Sequence, residues 1–275
     1  METWRLLPTG KYSPAKNMAL DEAVMIAHSR GLVPPTVRFY GWDPPTLSIG
    51  YFQRVSEVDF DALAAKGIGF VRRPTGGRAV LHDREVTYSI VITESHPMMP
   101  RSVNESYRIL SMGLVNGFRN LGLEATMVSL ASEADKEKYE SLGSSACFDS
   151  PSWYELVVEG RKITGSAQTR QHGVILQHGS ILLDLDVDLL FSVLYFSSEK
   201  LRQRVKASFT DKAVSIRQIA GRDVTFEEAE QAFRRGFETG LNVRLEPGEL
   251  TDEERALTDE LIETKYSTSQ WNEKR

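Results

Sequence analysis

The spacing of apolar residues predicts a chain that contains both helices and strands. After Ser13, apolar side chains recur at helical intervals as far as Gly31, and Pro14 fits the first turn of a helix. Capping sequences, in which Ser or Thr precedes an acidic residue by three positions, predict further helix starts. They are Ser56-Glu-Val-Asp59, Ser102-Val-Asn-Glu105, Thr225-Phe-Glu-Glu228 and Thr251-Asp-Glu-Glu254. The short helix from Ser56 is expected to end near Gly67.

Runs rich in β-branched and aromatic residues predict strands among these helices. The predicted strands are Thr36–Trp42, Thr46–Phe52, Gly69–Arg73, Val86–Thr93, Trp153–Val158, Lys162–Arg170 and Gly173–Leu183. Several are linked as hairpins and they alternate irregularly with helices. This order favours an α+β fold, with a mixed, largely antiparallel sheet flanked by helices, over a doubly wound parallel sheet. No linker rich in Pro, Gly or Ser interrupts the chain, so residues 1–275 are expected to form a single catalytic domain.

Composition narrows the classes of function. Of the 275 residues, 41% are hydrophobic and 26% are charged, and the formal net charge is −5. This balance is typical of a globular protein and argues against general binding to nucleic acid. The apolar stretches are too short to span a bilayer and no signal peptide is visible, so a cytoplasmic location is expected. The single cysteine excludes an internal disulfide and a multi-thiolate zinc site.

A glycine turn between two apolar runs is the densest unusual segment, Phe70–Asp83. Arg72 and Arg73 end the first run, and Gly76 and Gly77 follow in the turn. Paired glycines let backbone N–H groups approach a phosphate, carboxylate or oxyanion, and arginine adds a fixed fork of donors. The spacing matches neither glycine-rich nucleotide-binding fingerprint. The segment is therefore either an ordinary turn or an anion-binding loop.

Cys147 and Lys162 are candidates for nucleophilic chemistry. A lone cysteine is often a small buried hydrophobe, but Cys147 lies among small polar residues, which favours an accessible thiol. A nucleophilic thiol needs its pKa lowered, commonly by a neighbouring cation, and Lys162 is a candidate for that cation. In strand alternation Lys162, Thr164 and Ser166 share one face. That face either lines a cleft or belongs to an ordinary exposed hairpin.

Other polar residues carry weaker signals. His82, His172 and His178 lack metal-ligand spacing, so each is interpreted as structural or exposed and no metal site is predicted. A basic stretch also stands out in this acidic chain, and it is either a solvated surface or a docking site for an acidic protein. It consists of Lys200, Arg202, Arg204, Lys206 and Lys212.

Four ordered motifs resemble the biotin/lipoate protein ligase and transferase superfamily. They are Asn17-Met-Ala-Leu-Asp-Glu22, Arg72-Arg-Pro-Thr-Gly-Gly-Arg-Ala-Val-Leu-His82-Asp83, Gly160-Arg-Lys-Ile-Thr-Gly-Ser-Ala-Gln168 and Gln177-His-Gly-Ser-Ile-Leu182. The likeness covers about residues 15–245. It implies a ligase-like catalytic domain with a helical C-terminal extension and no separate C-terminal ligase domain.

Departures from the ligase pattern indicate the branch. ATP-dependent lipoate ligases carry a third glycine where this chain has Arg78, and a Gly-Asn pair where it has Arg84-Glu-Val. A cysteine fifteen positions before the motif lysine resembles instead the LipM-type octanoyltransferases of Gram-positive bacteria. The resemblance therefore implies an acyltransferase of lipoate biosynthesis and protein lipoylation.

This resemblance also implies roles and partners. Cys147 would carry the acyl group as a thioester, and Lys162 would lower the pKa of its thiol. The implied donor is octanoyl-acyl carrier protein, and the acceptor is a lysine of a lipoyl domain such as glycine cleavage H protein. The implied substrate-binding residues are Arg72, Arg73, Thr75, Gly76, Gly77, His82, Gly165, Ser166 and Ala167. A monomer that needs no cofactor and binds neither nucleic acid nor membrane is expected.

Three alternatives remain open from the sequence. The chain could be an ATP-dependent ligase for free octanoate or lipoate, because it shares the glycine loop. It could be an amidotransferase that moves octanoate between two lipoyl domains, which would also use a cysteine. It could be a module that binds lipoyl or carrier domains without chemistry, although the presence of both Cys147 and Lys162 argues against this.

Overall fold

The computed structural model describes residues 1–129 and 154–275. Its strands are β1 (Glu2–Leu6), β2 (Gly10–Tyr12), β3 (Thr36–Trp42), β4 (Thr46–Ile49), β5 (Gly69–Arg72), β6 (Val80–His82), β7 (Glu85–Thr93), β8 (Thr126–Ser129), β9 (Tyr154–Val158), β10 (Arg161–Lys162), β11 (Thr164–Gln171), β12 (Val174–Leu182) and β13 (Val243–Pro247). Its α-helices are α1 (Pro14–Ser29), α2 (Phe60–Ala65), α3 (Val103–Asn120), α4 (Val187–Ser192), α5 (Glu199–Lys212), α6 (Ile216–Ala220), α7 (Phe226–Leu241), α8 (Asp252–Leu261) and α9 (Ser269–Asn272). A 3₁₀ turn covers Val55–Glu57, and a π-helical turn covers Ile262–Tyr266.

The strands form one large sheet and two small ones. The large sheet has the order β11-β12-β7-β3-β1-β13, and β2 also pairs with β3. Its first four strands are antiparallel, whereas β1, β2 and β13 join in parallel. The small sheets are β10-β9-β8, which is antiparallel, and β5-β4-β6, which is mixed. The predicted α+β class with a mixed, largely antiparallel sheet is confirmed.

Helices cover both faces of the large sheet because successive strand residues point to opposite sides. Ile90 of β7 belongs to the largest hydrophobic cluster, which includes Phe118 of α3 and Phe233 of α7. The rings of these two phenylalanines meet edge to face, with centroids 4.9 Å apart. The next residue, Val91, faces the other way and packs with Met25 of α1. The functional pocket described below lies on the α1 side of the sheet.

Several predicted elements match the structure and others differ for local reasons. Helix α1 begins after Ser13 as predicted, and the Ser13 side chain accepts a hydrogen bond from the N–H of Lys16. Helix α2 is capped by Asp59, not Ser56, because residues before it form the 3₁₀ turn and the Asp59 carboxylate accepts from the N–H of Ala62 at 2.9 Å.

The predicted strand Lys162–Arg170 is two strands. Lys162 pairs with β9, and its carbonyl accepts from the N–H of Val214 at 2.9 Å, whereas Thr164 begins the long hairpin with β12. Ile163 lies between them and is completely buried. The continuous alternation expected for this segment is therefore broken at Ile163. None of the helices in the described ranges is long and apolar enough to cross a bilayer.

Candidate active site

A pocket opens where the β11–β12 hairpin meets β3, β4 and the loop that follows β5. Its apolar lining comes mainly from aromatic and aliphatic side chains, and its polar lining comes from serine, threonine, arginine and histidine. The lining residues are Met18, Tyr40, Trp42, Ser48, Arg73, Val80, His82, Thr87, Gly165, Ser166, Ala167, His178, Gly179 and Ser180. A mostly apolar cavity with a few convergent polar groups is typical of a small-molecule site.

The glycine loop, residues 74–78, is held by hydrogen bonds from the Arg73 side chain to its backbone. The Arg73 guanidinium is buried and donates to the carbonyls of Gly76 at 2.8 Å and Arg78 at 2.7 Å. Gly77 has φ +91°, a conformation that favours glycine. In the described part of the chain, the N–H groups of Gly76 and Gly77 donate to no backbone carbonyl. Two adjacent N–H groups without a carbonyl partner form a candidate anion-binding site.

Gly50 holds the glycine loop from the other side by close backbone contact. A Cβ atom at Gly50 would lie 1.9 Å from the carbonyl oxygen of Gly77. The neighbouring N–H of Tyr51 donates to the carbonyl of Thr75 at 2.8 Å. The position of the loop therefore depends on a glycine that the motif analysis did not identify.

Asp21 of α1 is the centre of a buried hydrogen-bond network behind the pocket. Its carboxylate accepts from the Arg38 guanidinium, from Tyr40 Oη at 2.9 Å and from Ser89 Oγ at 2.8 Å. His178 Nδ1 lies 3.0 Å from Asp21 Oδ2, and Nε2 of the same ring lies 2.6 Å from Thr75 Oγ1. The network thus joins α1, the sheet and the glycine loop.

The electrostatics of this network fix the proton positions. Burial alone would raise the pKa of Asp21, but the Arg38 guanidinium and the His178 hydrogen bond outweigh burial and lower it. Burial lowers the pKa of His178, against the opposing effect of Asp21, so the ring is neutral at pH 7. Since a carboxylate only accepts, Nδ1 carries the proton and Nε2 accepts from the Thr75 hydroxyl.

A second relay of the same type lines the pocket at His82. Its Nδ1 lies 2.7 Å from Glu85 Oε1, and its Nε2 lies 2.8 Å from Ser48 Oγ. The His82 ring stacks on Trp42, with centroids 4.2 Å apart. Trp42 Nε1 donates to Thr87 Oγ1 at 2.8 Å, and Thr87 donates to Glu85. The carboxylate orients His82, and the stacked indole holds its ring plane.

The hairpin wall of the pocket is made of small residues. Gly165, Ser166 and Ala167 on β11 pair with Ser180, Gly179 and His178 on β12. Ser166 Oγ accepts from Tyr88 Oη at 2.8 Å, and burial raises the pKa of Tyr88 to about 12. The neutral phenol therefore remains a donor to Ser166.

Lys162 is buried beside the hairpin and forms an ion pair that the motif analysis missed. Its Nζ lies 2.9 Å from Glu155 Oε2 and 3.1 Å from Oε1, and both side chains are less than a tenth exposed. A buried ammonium needs such a partner because isolated burial of a charge is costly. Cys147, the predicted nucleophile, lies outside the described residues.

The structure brings most of the predicted binding residues together. Arg73, His82, Gly165, Ser166 and Ala167 line the pocket. Thr75, Gly76 and Gly77 lie in the adjoining loop, and Thr75 contacts the pocket residue His178. Arg72 differs from expectation, because its fully buried guanidinium points away from the lining and binds backbone carbonyls of Gly50, Gln53 and Asn272.

Sequence reasoning missed the hydrogen-bond and ion-pair partners of His82, His178 and Lys162. Asp21 lay inside a quoted motif without an assigned role, Ser48 and Glu155 lay in predicted strands, and Glu85 lay just before the predicted strand Val86–Thr93. Each is 3 to 157 positions from its partner, so spacing gave no signal except for His82 and Glu85. Within the two described ranges, no cluster of three or more His, Cys, Asp or Glu side chains could hold a metal ion.

Comparison with known proteins places this chain in a family. Residues 13–238 match the family described as lipoyl protein ligase A/B catalytic domain. The octanoyltransferase LipM of Brevibacillus brevis is 62% identical over 276 aligned residues, covering 100% of both chains. The octanoyltransferase LipM of Bacillus subtilis is 56% identical and covers 100% of this chain and 99% of that protein.

Solved structures give the same result at lower identity. A bi-partite lipoate protein ligase from Thermoplasma acidophilum superposes with a TM-score of 0.81 at 28% identity, covering 99% of this chain and 97% of that chain. A putative lipoate protein ligase of the same organism, with bound lipoic acid, gives a TM-score of 0.78 at 29% identity over 100% of each chain. The superfamily predicted from the four motifs is confirmed: this chain is a transferase that belongs to the lipoyl protein ligase A/B catalytic domain family.

Proposed function

We propose that this enzyme transfers an octanoyl group from octanoyl-acyl carrier protein to a lysine of a lipoyl domain, such as glycine cleavage H protein. The observation that carries the proposal is the full-length identity of 62% to an octanoyltransferase, against 28–29% to lipoate ligases. The transfer needs no cofactor, because a thioester donor is already activated.

The pocket supports an apolar acyl substrate. Met18, Trp42 and Val80 contribute buried apolar surface, and the small residues of β11 leave the opposite wall open. Each buried CH₂ group contributes about 0.8 kcal/mol, so several methylenes of an octanoyl chain suffice for selective binding. The N–H groups of Gly76 and Gly77 are the proposed donors to the developing oxyanion, an effect worth about 3–4 kcal/mol in other acyl-transfer enzymes.

In the first proposed step, the Cys147 thiolate attacks the carbonyl carbon of the donor thioester. A new C–S bond to Cys147 forms, the C–S bond to the carrier breaks, and the carrier thiolate leaves. In the second step, the neutral amine of the acceptor lysine attacks the acyl-enzyme. The amide bond forms, the amine loses a proton to a base or to water, and Cys147 leaves as thiolate.

Lys162 is proposed to favour the thiolate form of Cys147, and Glu155 is proposed to hold Lys162 in place. The Lys162 ammonium contacts both oxygens of the Glu155 carboxylate, so its position is restrained before any substrate binds. An oriented cation stabilises a nearby thiolate more than a mobile surface lysine does, since less reorganisation is needed. The proposal therefore includes Glu155 as the group that positions the Lys162 ammonium.

Intact-mass measurement tests the acyl-enzyme directly. Incubation with octanoyl-acyl carrier protein is expected to add one octanoyl group, which hydroxylamine removes because it is a thioester. Cys147→Ser should form no such adduct and should lose transfer. Lys162→Met should lower the rate of adduct formation about 10²-fold near pH 7. A Cys147→Ser variant that transfers octanoate at the wild-type rate would refute the thioester step.

A choice of donors separates the alternatives. Free octanoate with ATP modifies a lipoyl domain if the enzyme is a ligase like its structural relatives, and octanoyl-H protein serves as donor if it is an amidotransferase. Tight binding without any adduct at an accessible Cys147 would indicate a binding module. Octanoyl transfer from the carrier protein alone, without ATP, is the result expected here.

A further inference from the structure

The C-terminal residues 262–275, termed here the brace, lie beyond the family match, which ends at residue 238. They fold as the π-helical turn and α9 and pack against β5, which leads into the glycine loop. Asn272 is buried, and its side chain accepts from the N–H of Arg72 at 2.9 Å and donates to the carbonyl of Tyr266 at 2.8 Å. Trp271 Nε1 donates to the carbonyl of Arg72 at 2.8 Å. The brace thus uses side-chain groups to bind both backbone polar groups of Arg72.

The Arg72 side chain joins the brace to the segment after β4. It has no exposed surface, and its guanidinium donates to carbonyls on two separate parts of the chain. In the brace these are Trp271 at 3.2 Å and Asn272 at 3.1 Å. In the segment after β4 they are Gly50 at 2.9 Å and Gln53 at 2.7 Å.

The segment held by Arg72 is the one that supports the glycine loop. Gly50 is in close backbone contact with Gly77, and the N–H of Tyr51 donates to the backbone carbonyl of Thr75 at 2.8 Å. The rings of Tyr51 and Trp271 also contact each other, with centroids 5.7 Å apart. A continuous chain of contacts therefore leads from the brace through Arg72 and Gly50 to the glycine loop.

The other end of the brace is fixed to the helix that carries Asp21. Lys265 Nζ lies 2.8 and 2.7 Å from the two carboxylate oxygens of Glu22, and Tyr266 Oη donates to the same group. Glu22 is the residue next to Asp21 on α1. The brace is thus anchored on α1 next to Asp21, whose hydrogen bonds through His178 reach Thr75 of the glycine loop.

We infer that the brace positions the glycine loop for acyl transfer, and that Arg72 and Asn272 are positioning residues, not substrate ligands. This inference rests on the proposed function for its catalytic consequence, but its structural part does not. The loop presents the N–H groups of Gly76 and Gly77, and a misplacement of about 1 Å in such groups can cost up to about 10²-fold in rate. Residues outside the family match therefore help to position the glycine loop.

The test compares Asn272→Ala and Trp271→Phe with Glu273→Gln, a change at the exposed neighbouring residue. Amide hydrogen exchange of the full-length variants, without substrate, is measured for peptides covering residues 74–80 and for α3 as internal reference. Loss of the Asn272 acceptor is expected to speed exchange in the loop about ten-fold while α3 is unchanged. Trp271→Phe retains an aromatic ring and loses the Nε1 hydrogen bond to Arg72, so it should show a smaller increase of the same kind.

Steady-state transfer is measured on the same samples well below their unfolding temperatures. Asn272→Ala is expected to lower kcat about ten-fold or more, with little change in the KM for the carrier protein, whereas Glu273→Gln matches wild type. Loop exchange in Asn272→Ala equal to that of Glu273→Gln would overturn the inference. If wild type transfers no octanoate, the proposed function fails, and the exchange result still decides whether the brace holds the loop.

Discussion

Substitution of Gly50 by alanine tests whether the glycine loop must lie where the structure places it. The added Cβ would be 1.9 Å from the carbonyl oxygen of Gly77 and 2.8 Å from its carbonyl carbon. Both atoms are backbone, so no flexible side chain can move aside. Because such contacts do not fall below 3.0 Å in real structures, the loop must shift by about 1 Å.

The expected magnitudes follow from that displacement. Overpacking of this kind costs about 1–3 kcal/mol of folding free energy, which corresponds to a fall of several degrees in Tm for a chain of this size. The effect on rate is larger, because a shift of about 1 Å in positioned donors can lower kcat about 10²-fold. Gly50→Ala should therefore remain folded and lose most octanoyl transfer.

Two controls separate loop displacement from general destabilisation. Gly31 has φ +71° and open space around its Cβ position, so Gly31→Ala should cost about 1 kcal/mol without changing the rate. Gly76→Ala is the second control. The Cβ atom added at Gly76 meets open space and the backbone N–H is kept, so this variant should stay folded and bind the carrier protein. Octanoyl transfer by Gly50→Ala within three-fold of the Gly31→Ala rate would refute the reasoning.

Three further predictions concern pH, docking and the core. Burial lowers the pKa of His178, so below about pH 6.5 the unfolded chain binds protons more readily than the folded one, and the free energy of unfolding should fall by up to about 1.4 kcal/mol for each unit that the pH decreases. Urea unfolding of His178→Asn should show a shallower fall with pH, and a fall as steep as that of the wild type would contradict this. The double variant Arg204→Glu, Lys206→Glu on α5 should raise the KM for the acidic carrier protein at low salt, and added salt should reduce this effect. An unchanged KM at low salt would indicate that the basic stretch is a solvated surface and not a docking site. Glu254 forms a buried two-point ion pair with Arg5 at 2.5 and 2.9 Å, so Glu254→Gln should lower the free energy of unfolding by about 3–5 kcal/mol, and a loss below 1 kcal/mol would show that the pair is dispensable.

Helices with clear start signals could be predicted from the sequence, whereas a helix that buries few apolar side chains could not. Helix α1 has a capping Ser13 followed by proline, and these signals fixed its start. Helix α5 buries only Val205 and Phe209, so its charged sequence suggested a basic surface without indicating a helix. The split at Ile163 arises from pairing with β9 and with Ala213, which are distant contacts that alternation within one strand does not encode.

The candidate site divides in the same way. Gly76, Gly77 and the Gly165–Ala167 segment belong to recognisable motifs; the second segment lines the pocket, and the loop that holds the two glycines contacts the pocket residue His178 through Thr75. Arg72 and Arg73 look equivalent in sequence, yet one supports the segment after β4 and the other supports the glycine loop. Which arginine faces the pocket depends on strand pairing with β4, and a single sequence contains no signal for it.

The arrangement around Asp21 also has a consequence for folding specificity. Ala167, His178, Ser89 and Arg38 lie in one row across four neighbouring strands, and the last three converge on this one carboxylate. A slip of one residue in the pairing of β3 would turn Arg38 to the other face of the sheet and leave the Asp21 carboxylate buried without its cation. The mispaired sheet is thereby penalised by the same group that orients the histidine. Asp21 is therefore expected to favour the native register of β3 as well as to orient His178.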